Sequence, residues 1–255
     1  MPQPLFDLTG RVALVTGGSK GIGAAMARAL AEAGADVIIS SRHGDELQAA
    51  LPTILGGTTA RGAWLIADMA DRAAVERLAA EAIAAFGRVD ILVNNAGINL
   101  LAPIERVTDA DWDRVLAVNL TGPMALARAL VPPMKERRWG RIIQISSIFG
   151  RVSRDERDAY SASKAGLIGL SLPMALELAP FGVTVNCLLP GPIETPLTSA
   201  MHPDPAARQW FTDRVPMGRW ARPEELAGPL LLLASDAGSY ITGTCLAVDG
   251  GWLAQ

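Results

Sequence analysis

Tyr160 and Lys164 are the residues whose types and spacing point first to chemistry. They lie in Tyr160-Ser161-Ala162-Ser163-Lys164, and residues four apart share one face of a helix. A phenol has an ordinary pKa near ~10, too high for a good base at neutral pH, but a nearby ammonium favours the phenolate. A tyrosine so placed can exchange a proton with a bound oxygen. Taken alone, the spacing is also that of an ordinary surface pair. Weight comes from Ser146 and Ser147, which end the apolar run Arg141 to Ser146, where open α/β sheets put their ligand groups.

A second group has the pattern of a phosphate cradle. Thr16-Gly17-Gly18-Ser19-Lys20-Gly21-Ile22-Gly23 follows the run Val12 to Thr16 and opens a stretch in which Ile22, Met26, Ala29, Leu30 and Ala33 recur at helical spacing. Glycines let the backbone turn sharply and approach a pyrophosphate, while the new helix offers its first N–H groups and positive dipole end. A lone glycine-rich loop is also a common tight turn, but here strand, glycines and helix come in the order dinucleotide binding requires. Gly17, Gly21 and Gly23 form G-x-x-x-G-x-G rather than G-x-G-x-x-G.

Both groups need a frame. Short β-branched runs alternate with Ala-rich helical stretches: Val12 to Thr16, Val37 to Ser40, Ala63 to Ile66, Val89 to Val93, Arg141 to Ser146, Val183 to Leu188 and Thr244 to Val248. The alternation predicts repeated β-α units, and runs apolar on both sides predict a parallel sheet covered by helices. Val75, Leu78, Ala79 and Ala82 mark a further helix. The expected fold class is α/β, a single-domain Rossmann-like doubly wound parallel sheet of about seven strands flanked by helices, spanning residues 1–255. Pro/Gly punctuation at Pro190 to Pro196 and Pro203 to Pro205 marks an irregular segment, read as a substrate lid around 192–215.

The loop Thr16 to Gly23 resembles the cofactor loop of the short-chain dehydrogenases/reductases, and further motifs follow in that family's order from Gly10 to Gly251. Asp68, with Met69 beside it, resembles the residue that meets the adenine ring. Asn94-Asn95-Ala96-Gly97 resembles the cofactor-contacting turn, and Pro190-Gly191-Pro192-Ile193-Glu194-Thr195 the segment flanking the nicotinamide. The resemblance implies four catalytic positions, Asn119, Ser147, Tyr160 and Lys164. In the reducing direction Tyr160 would supply a proton to the substrate oxygen that Ser147 polarises. Lys164 would hold the cofactor ribose and depress the Tyr160 pKa, and Asn119 would steady a water-linked proton relay. Gly17, Ser19, Lys20, Gly21, Ile22, Gly23, Asn95, Ala96, Gly97, Pro190, Gly191, Ile193 and Thr195 are the implied cofactor contacts, with Tyr160 and Lys164. The reaction implied is hydride transfer between a nicotinamide cofactor and a secondary alcohol or ketone, as in 3-oxoacyl carrier-protein reductases and gluconate 5-dehydrogenases. Homotetramers or homodimers are the assemblies implied. A dinucleotide-sensing protein without chemistry, or a redox-neutral enzyme on the same frame, is the competing expectation.

Half of the 255 residues are apolar and the formal net charge is -3, with no Lys/Arg block. Nucleic-acid binding is therefore not expected. No uninterrupted apolar run approaches the roughly 20 residues of a membrane span, and Met1 to Gly10 does not read as a signal peptide. The expected location is cytoplasmic. Cys187 and Cys245 read as buried hydrophobes rather than a disulfide, and His43 and His202 lack ligand-spaced neighbours, so no metal is expected. Asn99, Leu100, Ile148, Phe149, Leu197 and Met201 are candidate substrate walls. Arg151, Arg154 and Arg157 are able to meet an anionic substrate, but the favoured reading is a solvated loop balanced by Asp155, Glu156 and Asp158.

Cofactor choice turns on Ser40-Ser41-Arg42. An NAD site usually places a carboxylate near Ser41, to bind the ribose hydroxyls. Serine carries no charge, whereas Arg42 can grip a 2′-phosphate and Lys20 adds a second cation. NADP(H) is the expected preference, with NAD(H) possible. Glu32 and Asp45 are the nearby acids weighed, and neither replaces the missing carboxylate. Pro123, inside a helix expected to start near Trp112, has no N–H for the Asn119 carbonyl, so a kink and a held water are expected there. Pro173 would likewise free the Gly169 carbonyl, for which no function is assigned.

Overall fold

Every position of β1 (Val12–Thr16) is buried, because helices cover both faces of the strand. Val12 and Leu14 enter one core, and Ala13 and Val15 the other. The computed structural model, which describes residues 5–201 and 204–255, has six further strands: β2 (Asp36–Ser41), β3 (Gly62–Ile66), β4 (Ile91–Asn94), β5 (Gly140–Ile145), β6 (Val183–Pro190) and β7 (Cys245–Val248). The central β4, β5 and β6 are likewise wholly buried, while the edge strands β3 and β7 are partly exposed. Together the strands form one seven-stranded sheet in the order β3-β2-β1-β4-β5-β6-β7, with every neighbour parallel. All seven expected strands are present. The ends differ by a residue or two, as where β6 runs on to Pro190.

The helices are α1 (Gly21–Glu32), α2 (Gly44–Leu55), α3 (Arg72–Phe86), α4 (Asp109–Leu116), α5 (Gly122–Arg137), α6 (Asp158–Leu178), α7 (Pro196–Met201), α8 (Pro205–Thr212) and α9 (Ala227–Ala234). Leu78 of α3, Leu126 and Leu130 of α5 and Leu178 of α6 pack one face of the sheet. Met26 and Leu30 of α1, Leu47 and Ile54 of α2 and Leu230 of α9 pack the other. Each such large side chain contributes roughly 1.5–3 kcal/mol. Local signals set the helix ends. Asp71 caps α3 by accepting from Ala73 N at 2.9 Å, and Gly87 closes it with φ +78°.

The helix around Pro123 takes a specific form. α4 and α5 are joined by one π-helical turn, Ala117–Thr121, with Gly122 N bonded to Ala117 O. A wider turn accommodates the donor that proline lacks, and Asn119 sits in it. α6 instead runs unbroken through Pro173. The helical stretch Asp109–Arg137 is long and apolar enough to cross a membrane by length and composition, yet half of its apolar window is buried in the protein.

Strand order reverses at β1, with β2 on one side and β4 on the other. The C-terminal ends of β1 and β4 therefore open a crevice at the switch point.

Candidate active site

The crevice is a cavity of about 520 Å³, and every residue assigned to the cofactor from the sequence lines it. The glycine turn at its floor is built for close backbone approach. Gly17 and Gly21 have φ of +64° and +56°, where other residues are strained. A Cβ on Gly23 would drive into the Gly17 carbonyl and lie 2.6 Å from Asn95 Nδ2. The turn is tied to β4: Asn95 Nδ2 donates to Thr16 O at 2.9 Å and to Gly17 O at 3.1 Å. Thr16 Oγ1 accepts from Asn95 N and Ala96 N, both at 3.0 Å. A cradle with no room for side chains, at the start of the 12-residue α1, fits a dinucleotide pyrophosphate.

Ser41, Arg42, Asp68 and Met69 border the same cavity beyond the glycines. Lys20 differs from expectation. Its Nζ is engaged with Glu46 Oε1 at 2.9 Å, and Ser19 Oγ donates to Glu46 Oε2 at 3.1 Å, so Lys20 is not a free second cation. Glu46 lines the cavity from the first turn of α2. Of the acids weighed from the sequence, Glu32 pairs with Arg28 on α1. The acid that lines the cavity beside Lys20 is Glu46, one residue beyond Asp45.

Ser147 and Ser146 separate cleanly. Ser147 Oγ accepts from Phe149 N at 3.1 Å and lines the cavity with Tyr160, whereas Ser146 Oγ donates to the Lys164 carbonyl at 2.9 Å and fastens α6 to β5. Burial raises the Tyr160 pKa, opposed by Ser147 and by the charge of Arg157. Lys164 Nζ lies 5.6 Å from the Tyr160 ring centre and donates to Ile145 O at 2.7 Å. Burial pushes its pKa down to about 8. Asn119 does not line the cavity but sits behind it. Its Oδ1 accepts from Ile98 N at 2.9 Å, and its Nδ2 donates to Ile98 O at 2.9 Å and Ser163 Oγ at 3.0 Å.

Comparison with known proteins agrees with this geometry. A family profile described as "Enoyl-(Acyl carrier protein) reductase" matches residues 17–253. The chain is 41% identical over 246 residues to the 3-oxoacyl-[acyl-carrier-protein] reductase of Escherichia coli, covering 96% of this chain and 98% of that one. The chain belongs to the short-chain dehydrogenase/reductase family. It is 38% identical to the D-beta-hydroxybutyrate dehydrogenase of Rhizobium meliloti, over 96% of this chain and 99% of that one. A gluconate 5-dehydrogenase of Burkholderia cenocepacia, in complex with NADP and tartrate, superimposes with a TM-score of 0.93 at 37% identity over 98% of each chain. The protein is thus an NAD(P)-dependent oxidoreductase acting on CH–OH or C=O groups.

On the other side of Ser147, this short-chain dehydrogenase/reductase departs from its sequence reading. Arg157 is not in a solvated loop: it is 2% exposed, 5.2 Å from the Phe149 ring centre and 5.8 Å from that of Phe211. Arg154 lies 4.3 Å over Trp210. Glu156, in the left-handed region at φ +64°, turns the chain ahead of the inward Arg157. Arg151 fits the solvated reading, being exposed, and Arg154 is balanced by Asp155 at 3.0 Å as expected, though its guanidinium also stacks on Trp210. Phe149, Trp210, Phe211, Trp220 and Trp252 form one aromatic cluster, with Phe211 ring centres 5.1 Å from Trp210 and 5.5 Å from Trp220. The cluster was not anticipated, since its members are spread from 149 to 252 without a shared period. Of the other candidate walls, Ile148 is buried in this cluster and Leu100 is exposed. The side chains of Leu197 and Met201, with all of His202 and Pro203 in the expected lid, lie outside the described residues. Thr198, also missed, lines the cavity, and its Oγ1 donates to Ile193 O at 2.7 Å. Cys187 is buried as expected, while Cys245 is half-buried.

Proposed function

We propose that this enzyme interconverts a secondary alcohol and a ketone with Tyr160 as the acid/base residue, and that it prefers NADP(H). The observation carrying the proposal is that Ser147, Tyr160 and Lys164 line the same cavity as the glycine cradle. The nicotinamide, when bound, supplies or accepts the hydride; the rest falls to the chain. In reduction Tyr160 gives its proton to the substrate oxygen, which Ser147 orients. Lys164, cationic below about pH 8, favours the phenolate left behind and binds the cofactor ribose. Both Asn119 amide protons are spent on Ile98 and Ser163. Its part in proton resupply is therefore assigned to a water on its backbone carbonyl, which Pro123 leaves without a donor four residues on.

Ser41 and Arg42 support the NADP(H) preference: no carboxylate stands at the end of β2, and among the described residues none lies within ion-pair distance of Arg42. A sugar or polyol dehydrogenase preferring NAD(H) is the second reading, favoured by the engagement of Lys20 with Glu46. The chain is read as one catalytic domain in which α7 and α8 form a lid over the substrate side. Leu172 and Leu176 of α6 are 48% and 79% exposed, an apolar stripe that suits pairing with a second copy in a homodimer or homotetramer. The two free cysteines, register partners on β6 and β7, suit the reducing cytoplasm.

The test is reduced-nicotinamide absorbance with a panel of ketones, sugar acids and short acyl thioesters and both cofactors, on wild type and Tyr160→Phe. Faster turnover with NADPH is expected, and a loss of roughly a hundred- to ten-thousand-fold in the variant, with cofactor affinity within a few-fold. Near-normal turnover by Tyr160→Phe would exclude its role.

A further inference from the structure

We infer that Glu46 sets the cofactor selectivity of this enzyme by holding Lys20 away from the 2′-phosphate position. The inference rests on the reading that the end of β2 receives the adenosine ribose. Three observations meet there. Glu46 takes both nearby donors, Lys20 Nζ at 2.9 Å and Ser19 Oγ at 3.1 Å. Ser41, Arg42, His43 and Glu46 line one cavity with Lys20, so the carboxylate missing at Ser41 has a counterpart supplied from α2. Arg42 carries no such partner among the described residues.

Two consequences follow from the charges. A cation already hydrogen-bonded to a carboxylate contributes little to a phosphate, because the carboxylate repels the phosphate as the cation attracts it. Glu46 thus cancels Lys20, and Arg42 alone distinguishes the 2′-phosphate from the 2′-hydroxyl. A bare ribose meets no such repulsion, and NAD(H) is tolerated. The Lys20–Glu46 pair is a counterweight: it limits the preference for NADP(H) that Ser41 and Arg42 create. The Glu46 side chain is 34% exposed, which leaves room for a ligand phosphate and keeps the site tolerant of substitution.

The experiment is direct binding of NADP⁺ and NAD⁺ to the substrate-free enzyme by calorimetry, for wild type, Glu46→Gln, Lys20→Met, Arg42→Leu and the Glu46→Gln/Lys20→Met double variant. Glu46→Gln keeps the shape and removes the charge. It is expected to tighten NADP⁺ by about tenfold, the scale of one freed charge-assisted contact, and to leave NAD⁺ within about twofold. The gain should vanish in the double variant, because it belongs to the released lysine. Unchanged or weaker NADP⁺ binding in Glu46→Gln, an equal change for both cofactors, or a gain that survives loss of Lys20 would overturn the inference. Arg42→Leu tests the underlying reading separately: if it leaves NADP⁺ affinity unchanged, the 2′-phosphate is not received at this strand end.

Discussion

The glycine cradle and the aromatic cluster centred on Phe211 of α8 are made in opposite ways. The cradle is backbone. Its geometry comes from two left-handed glycines, the start of α1 and the hydrogen bonds that Asn95 and Thr16 make to main-chain atoms. The cluster is side chain. Phe149, Arg154 and Arg157 come from the segment between β5 and α6, Trp210 and Phe211 from α8, and Trp220 and Trp252 from further along the chain. A site made of backbone must be written as a contiguous motif, because adjacent residues make the turn. A site made of packed rings has no such constraint: any segment that arrives with an aromatic can contribute. The first has the form that a pyrophosphate site takes; the second joins side chains from separated segments into one packed unit.

The largest effect expected from this contrast is at Phe211, which is 4% exposed and touches Phe149, Trp220 and Trp252. Phe211→Ala should cost about 3–5 kcal/mol of packing and raise the substrate KM, while cofactor affinity stays within a few-fold. Denaturant unfolding and cofactor calorimetry together check this. An equal loss of cofactor affinity would show that the two regions are one unit.

Gly23→Ala is the converse. Its Cβ meets the Gly17 carbonyl and Asn95 Nδ2, atoms of a braced turn, and should cost about 1–3 kcal/mol. The cost is expected in cofactor dissociation, with the aromatic cluster undisturbed as judged by tryptophan fluorescence. Normal cofactor binding would mean that the cradle yields more easily than its hydrogen bonds imply.

The smallest effect joins the two regions. Arg157 belongs to the cluster, yet its charge lowers the Tyr160 pKa against the rise caused by burial. Removing a cation disfavours the phenolate, so Tyr160 should titrate higher in Arg157→Met. The rising, acid-side limb of the oxidation pH profile, which reports loss of the Tyr160 proton, should move up, and Arg157→Lys should restore it in part. A limb unmoved by Arg157→Met, with the protein folded, would confine Arg157 to packing.

Much of this was legible in the residues themselves. The central apolar runs were legible as strands because a strand covered on both faces has no alternative to being apolar throughout; the edge strands β3 and β7 kept β-branched and aromatic residues while staying partly exposed. The Pro123 irregularity was legible for a similar reason, since a missing N–H is a local fact. The π form of the turn was not, because it depends on how α4 and α5 both pack on the sheet. Arg157 was misread because charge in a loop ordinarily means solvent; what buries it is Phe149 and Phe211, and the latter is 54 positions away.

The sequence by itself determined the strand-turn-helix cradle, the helical spacing of Tyr160 and Lys164 and the apolar strands. Each is a matter of backbone permission or of period within one element. Tertiary structure alone decided that Ser146 is spent on the Lys164 carbonyl, that Asn119 spends its amide on Ile98 and Ser163, and that Lys20 answers to Glu46. Those outcomes depend on distances of about 3 Å between groups on different elements, and only the packing of those elements on the sheet sets such distances.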